Sequence, residues 1–176
     1  MDHFFHYSTL NRFRSVVDGS SYGKTGLIPL KRFVRLGLAE KFNLPGEAEE
    51  GAVFGLLEPQ PISWMQHEYH EGEGLLETIL TDMLFRGDEM LLLKCSVLPS
   101  DKVYVADHFF HMRKDYNGTN DLENPATAEV KRDYWHSMVP FSDYNDGHVM
   151  PEVISFSPIP LDRITVVKKY ETTRML

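Results

Sequence analysis

The chain has 176 residues, of which 42% are hydrophobic, 12% aromatic and 25% charged, and its formal net charge is -8. Such proportions belong to a globular chain that buries a core and supports a cleft, and they exclude disorder as the expectation. The negative balance excludes a broad basic groove. A nucleic acid would have to be met by a local cluster such as Lys31, Arg32 and Arg35, whereas a protein or small molecule meets no such penalty.

The single cysteine, Cys95, lies in L-L-L-K-C-S-V and reads as a small buried hydrophobe, with no disulfide framework. The start, M-D-H-F-F-H, lacks the basic and apolar regions of a secretory leader, and no run approaches the roughly 18 apolar residues of a membrane span. A cytoplasmic protein with no membrane partner is therefore expected.

In chain order, an aromatic-rich strand is predicted at His3 to Tyr7. Ser8 or Thr9 can then cap a helix over Leu10 to Val17, whose apolar face is Leu10, Phe13, Val16 and Val17, and Gly19 ends it. The following S-S-Y-G-K-T-G contains Gly23, Lys24 and Thr25 in succession, but a phosphate-binding loop needs its first glycine where Asp18 stands, and it follows a strand rather than a helix. Residues 31 to 42 fit a short helix or a wrapping loop. Residues 43 to 51 form a polar loop, and Ala52 to Leu57 a buried strand, with Trp64 just beyond.

His67 to Glu71, H-E-Y-H-E, resembles a metalloprotease signature only superficially, since its histidines are three apart where that helix needs four. His108 and His111 repeat the spacing. These pairs are expected to face solvent; a His-ligated metal site is the less favoured reading. The period of Leu75, Leu76, Ile79, Leu80, Met83 and Leu84 predicts a helix stopped at Gly87 and Asp88. Strands are predicted at Met90 to Leu98 and Val103 to Ala106, a polar stretch from Arg113 to Asn124, and a helix from Thr127 to Trp135 with Pro125 near its first turn.

The last stretch, His148 to Val167, organises the rest. It reads as two strands, Val153 to Phe156 and Ile164 to Val167, joined by a Pro-punctuated turn, with Glu152 at the mouth of the first. Pro151 gives no donor to a ladder, so that end is expected to form a rim, where a carboxylate can face a cleft. Most glutamates at a strand start are merely exposed, and the alternative stands beside the functional one. The whole pattern predicts one α+β domain over residues 1–176, with a split, mixed β-sheet flanked by helices.

The order of these segments resembles the ADP-ribosyltransferase superfamily, most closely its DarT-type branch. F-F-H-Y-S-T followed by a short helix and G-L-I-P is similar to its opening, where a histidine (here His6) is followed two residues later by serine or threonine (here Ser8). Farther on, L-L-L-K-C-S-V, V-Y-V-A-D, D-Y-W-H-S-M-V-P and P-E-V-I-S-F-S-P-I-P-L-D-R-I are similar to that branch, in which a glutamate opens a late strand. The resemblance implies an NAD-dependent mono-ADP-ribosyltransferase acting as a toxin or effector, with NAD as substrate and an antitoxin or inhibitor protein as a partner. It implies Glu152 as the catalytic carboxylate, His6 on a ribose hydroxyl, Ser8 on the nicotinamide amide, and Tyr22 or Phe54 stacked on the ring. Arginine-modifying members carry a second glutamate where this chain has Met150, so arginine is disfavoured as acceptor.

Because the candidate acceptor loops 43 to 51 and 113 to 124 are short of positive charge, a protein acceptor, or a small acceptor that tolerates acidic surroundings, is expected ahead of DNA or RNA. The principal alternative is a catalytically inactive binding module on the same scaffold that recognises a protein or nucleotide.

Overall fold

In the computed structural model the described residues are 1–19, 25–29, 52–66, 68–70, 73–74, 89–112 and 125–170. Tyr22, the Gly23–Lys24 stretch, residues 31 to 42 and 43 to 51, the helix over Leu75 to Leu84 and the loop 113 to 124 lie outside them. The described elements, in order, are β1 (His3–Thr9), α1 (Leu10–Asp18), β2 (Val53–Leu56), α2 (Ile62–Gln66), β3 (Glu68–His70), β4 (Glu73–Gly74), β5 (Met90–Ser96), β6 (Val103–Asp107), α3 (Pro125–His136), β7 (Val139–Pro140), β8 (Pro151–Ser155) and β9 (Ile164–Tyr170). Short 3-10 turns occupy His108–Met112 and Leu161–Arg163. Contacts divide the chain into two compact units, one drawing on Pro29–Phe54 and Pro99–Ser157, the other on Asp2–Ile28, Gly55–Leu98 and Pro158–Leu176.

The second unit carries the strand order β1-β5-β9, with the Gly55–Leu56 end of β2 beside β1 through the pair Phe5↔Leu56. Met90, Leu91, Leu92, Leu93 and Cys95 of β5 are all buried, which is why the first four residues of this strand read in the sequence as an apolar run with no alternation, interrupted at Lys94. Beside it, β1 pairs in continuous antiparallel register from His3↔Ser96 to Thr9↔Met90. Phe4 is fully buried and lies under Gly55, where an added Cβ would collide with the Phe4 ring and stand 2.6 Å from the Phe5 carbonyl oxygen. Of the two candidate caps, Thr9 is the one used: its hydroxyl accepts from the Arg12 amide at 3.3 Å. Gly19 closes α1 in the left-handed region at φ 70°.

On the other side of β5, β9 runs three residues beyond the expected Val167 because its pairing continues to Met90↔Tyr170. Five consecutive residues, Thr165 to Lys169, are exposed there. Lys168 and Lys169 on such an outer strand discourage pairing with another chain.

The first unit has the order β7-β6-β8, with β6 and β8 paired from Val103↔Ser155 to Asp107↔Pro151. Its core gathers Ala52, Ala106, Tyr134, Trp135, Ile154 and Phe156, with Phe54, Tyr104, Phe110 and Met138 packed against them. Burial of the larger of these side chains, such as Ile154 and Phe156, contributes about 1.5–3 kcal/mol each. Helix α3 begins at Pro125 rather than Thr127, consistent with proline's preference for the first helical position. Val130 and Tyr134, four apart, share its buried face.

The α+β class stands. The expected mixed sheet does not appear among the described pairings: β1–β2, β1–β5, β5–β9, β6–β7 and β6–β8 are each antiparallel. The two late strands are not partners of each other in these pairings, β8 lying against β6 and β9 against β5. Side-chain alternation has the same period whichever way a neighbouring strand runs, so it reveals a strand without its direction or its partner. No described helix is long and apolar enough to cross a membrane.

Candidate functional site

The site is built at the end of β6 and the start of β8. Beyond the last strand pair, the His108 amide donates to the Met150 carbonyl at 2.9 Å, which carries the ladder one step into the 3-10 turn. Asp107 locks this junction. Its carboxylate is buried and accepts three backbone amides, from Met150 and Val149 at 2.9 Å and from Phe109 at 3.1 Å. Such charge-assisted bonds are the strong ones, and here they fix the chain entering β8. The Asp107 amide donates to the Ser137 hydroxyl at 2.8 Å, which in turn donates to the Tyr134 carbonyl at 2.6 Å. The end of α3 is thereby tied to the same junction.

Glu152 stands opposite Ala106 in the β6–β8 register, two residues into the segment that Asp107 holds. Its side chain is only 13% exposed. Oε2 accepts from the Tyr134 hydroxyl at 2.6 Å and lies 3.3 Å from His108 Nδ1. The rim expected from Pro151 is thus occupied by a carboxylate drawn inward and held by side chains from two other elements.

Burial pushes the Tyr134 phenol well above the usual tyrosine range, and the neighbouring Glu152 charge and their mutual hydrogen bond push it further. Tyr134 therefore keeps its proton and serves as the donor. Nearby, the Tyr144 ring packs against His148 with centroids 5.1 Å apart, and His148 Nε2 lies 3.4 Å from the Val105 carbonyl oxygen. Desolvation raises the Tyr144 phenol.

The remaining residues implied by the resemblance fall in different places. His6 and Ser8 lie on one face of β1, paired with Leu93 and Leu91; His6 is half-buried, and Ser8 is buried with its hydroxyl donating to the Thr9 carbonyl at 3.3 Å. Phe54, on β2, packs against the Tyr134–Trp135 cluster. Met150, where arginine-modifying enzymes carry a second glutamate, is fully buried in the core. Of the histidine pairs, His108 turns to Glu152, while the side chains of His67, His70 and His111 lie outside the described residues. Among the described residues no group of three or more His, Cys, Asp or Glu is arranged to hold a metal ion.

Two residues of this constellation, Asp107 and Tyr134, escaped the sequence reading, and a third, His108, was expected to face solvent but turns instead to Glu152, with its side chain 21% exposed. One signal was available for Tyr134, because a tyrosine on the buried stripe of a helix usually needs a partner for its hydroxyl. For Asp107, the D-H pair ending an apolar strand was legible, but not the amides it captures 42 and 43 residues later. Comparison with protein-family models, with curated proteins and with solved structures finds no match to this chain.

Proposed function

We propose that this chain is an NAD-dependent mono-ADP-ribosyltransferase in which Glu152 is the catalytic carboxylate. The observation that carries the reading is the placement of Glu152: mostly buried at the mouth of β8, held by Tyr134 and His108, with its strand entry clamped by Asp107. A carboxylate fixed in this way stabilises positive charge that develops beside it, at little reorganisation cost and with less screening than in water.

Cleavage of NAD develops such a charge. As the bond between ribose C1′ and the nicotinamide nitrogen breaks, its electron pair leaves with nicotinamide, which becomes neutral, and the ribose takes on oxocarbenium character. Glycoside hydrolysis passes through a similar cation and also uses carboxylates. The acceptor's nucleophile then forms the new bond to C1′ and gives up its proton, which Glu152 is able to take. The NAD contacts named by the resemblance, His6 and Ser8, stand on β1 and are tested separately. A protein acceptor is favoured over nucleic acid by the net charge of -8.

The test is NAD turnover, as hydrolysis and as transfer to proteins of a lysate, to DNA and to RNA. Glu152→Gln keeps the side chain's shape and removes its charge, and turnover is expected to fall about a hundredfold, ~3 kcal/mol of transition-state stabilisation. NAD affinity should change little. His6→Ala should instead weaken NAD binding, as loss of a contact made in ground and transition states alike. The absence of turnover in wild type with every acceptor class sinks the assignment.

A further inference from the structure

We propose that Tyr134 is the positioning residue for the Glu152 carboxylate: its hydroxyl, delivered from the buried face of α3, sets the orientation and charge state in which Glu152 works. The proposal takes Glu152 as the working carboxylate from the reading above, but it rests on a geometry that is independent of what the substrate is. The bond is short, at 2.6 Å, and its donor is almost entirely buried. A buried phenol without an acceptor would suffer the full cost of desolvation, so the bond is held from both sides.

The geometry behind Tyr134 is equally specified. The Tyr134 and Trp135 rings meet edge-on with centroids 5.0 Å apart, and Trp135 belongs to the same core cluster. The carbonyl of Tyr134 accepts from Ser137, whose hydroxyl also accepts the Asp107 amide. One chain of hydrogen bonds thus runs from Glu152 through Tyr134 and Ser137 to Asp107 and back to the amides of Val149 and Met150, just before Glu152. The loop closes on itself. A displacement of α3 would move the carboxylate and the entry to its strand together.

Donation to a carboxylate favours its charged form, so removal of the hydroxyl should raise the pH at which Glu152 takes up a proton. The described titratable groups that reach or flank this carboxylate are His108 after β6, Tyr134 on α3 and, one strand pair along, Asp107, whose oxygens are turned to backbone amides. Tyr134→Phe removes the donor and leaves the other two in place.

The experiment follows the Glu152 carboxyl carbon by NMR in protein labelled at glutamate, with the resonance assigned by its disappearance in Glu152→Gln. In Tyr134→Phe the titration midpoint is expected to rise by about one unit relative to wild type, an amount in keeping with loss of one hydrogen bond to the charged form. A merely packing role for the phenol would leave that midpoint where it is, and an unchanged midpoint overturns the proposal whether or not the protein turns over NAD. If NAD is turned over, kcat should fall tenfold or more in Tyr134→Phe while KM stays within about twofold, because what is lost is the orientation of a carboxylate that acts on the charge developing in the transition state. Should the variant fail to fold, the bond is read in wild type from the Tyr134 hydroxyl proton, using tyrosine labelled at the ring carbon that bears it. That proton should exchange slowly with solvent and at least tenfold faster in Glu152→Ala; equal exchange rates overturn the proposal.

Discussion

Strand β5 and the mouth of β8 solve the problem of burial with opposite chemistry. In β5, Met90, Leu91, Leu92, Leu93 and Cys95 are buried as hydrocarbon and sulfur, in a strand whose backbone is paired along its length with β1 and β9. Where β6 ends and β8 begins, Asp107 and Glu152 are drawn in as carboxylates, one satisfied by three amides and the other by side chains. The first arrangement is insensitive to small differences in direction, because apolar contact is non-directional. The second depends on angles and on every partner being present, since a buried charge that loses its donors is costly. The two carboxylates differ in turn. Backbone amides hold Asp107, whereas Glu152 is held by the side chains of Tyr134 and His108.

Substitutions can break this contrast. Leu93→Ala should cost the most, about 3–5 kcal/mol, because a fully buried side chain between two paired strands leaves a cavity that cannot collapse. Chemical denaturation would measure it; a loss under 1 kcal/mol would show that β5 is not the anchor of its unit. Asp107→Ala should follow at roughly 3 kcal/mol, since it orphans three amides at once. It should also lower turnover, because the entry to β8 would loosen. Equal stability with full turnover would show that Asp107 does not clamp the entry to β8.

Gly55→Ala is a smaller perturbation, about 1–3 kcal/mol, from overpacking against the Phe4 ring and the Phe5 carbonyl. At the bottom of the series, Val167→Thr on the exposed strand β9 should stay within about 0.5 kcal/mol, and a larger loss would mean that this strand is covered.

A pH experiment sharpens the same comparison. Burial pushes the Cys95 thiol up to about 12, with the charge of Arg163 opposing it. Its folded value lies above the unfolded one, so the neutral thiol's contribution to stability is complete below about pH 8.5 and is lost as pH rises toward about 12. Wild type should therefore lose stability over that window faster than Cys95→Ala, and native Cys95 should resist thiol reagents at pH 8. Prompt labelling of the native protein would contradict its burial.

Much of the local structure was legible in the residues. The apolar run at β5, the strand after Pro151, the capped helix after β1 and the burial of Cys95 follow from hydrophobic pattern, proline chemistry and capping, which act over a few residues. Glu152 could be singled out for the same reason, because its place at a strand mouth is a local fact. What surrounds it could not. Tyr134 is 18 residues away and His108 is 44, and nothing in the spacing of a helix or strand links such positions. The strand partners were equally hidden, since alternation marks a face but no neighbour. Only the tertiary structure decided that β6 lies against β8, and with it that one carboxylate became a clamp and the other a held charge, because pairing and burial depend on contacts between residues far apart in the chain.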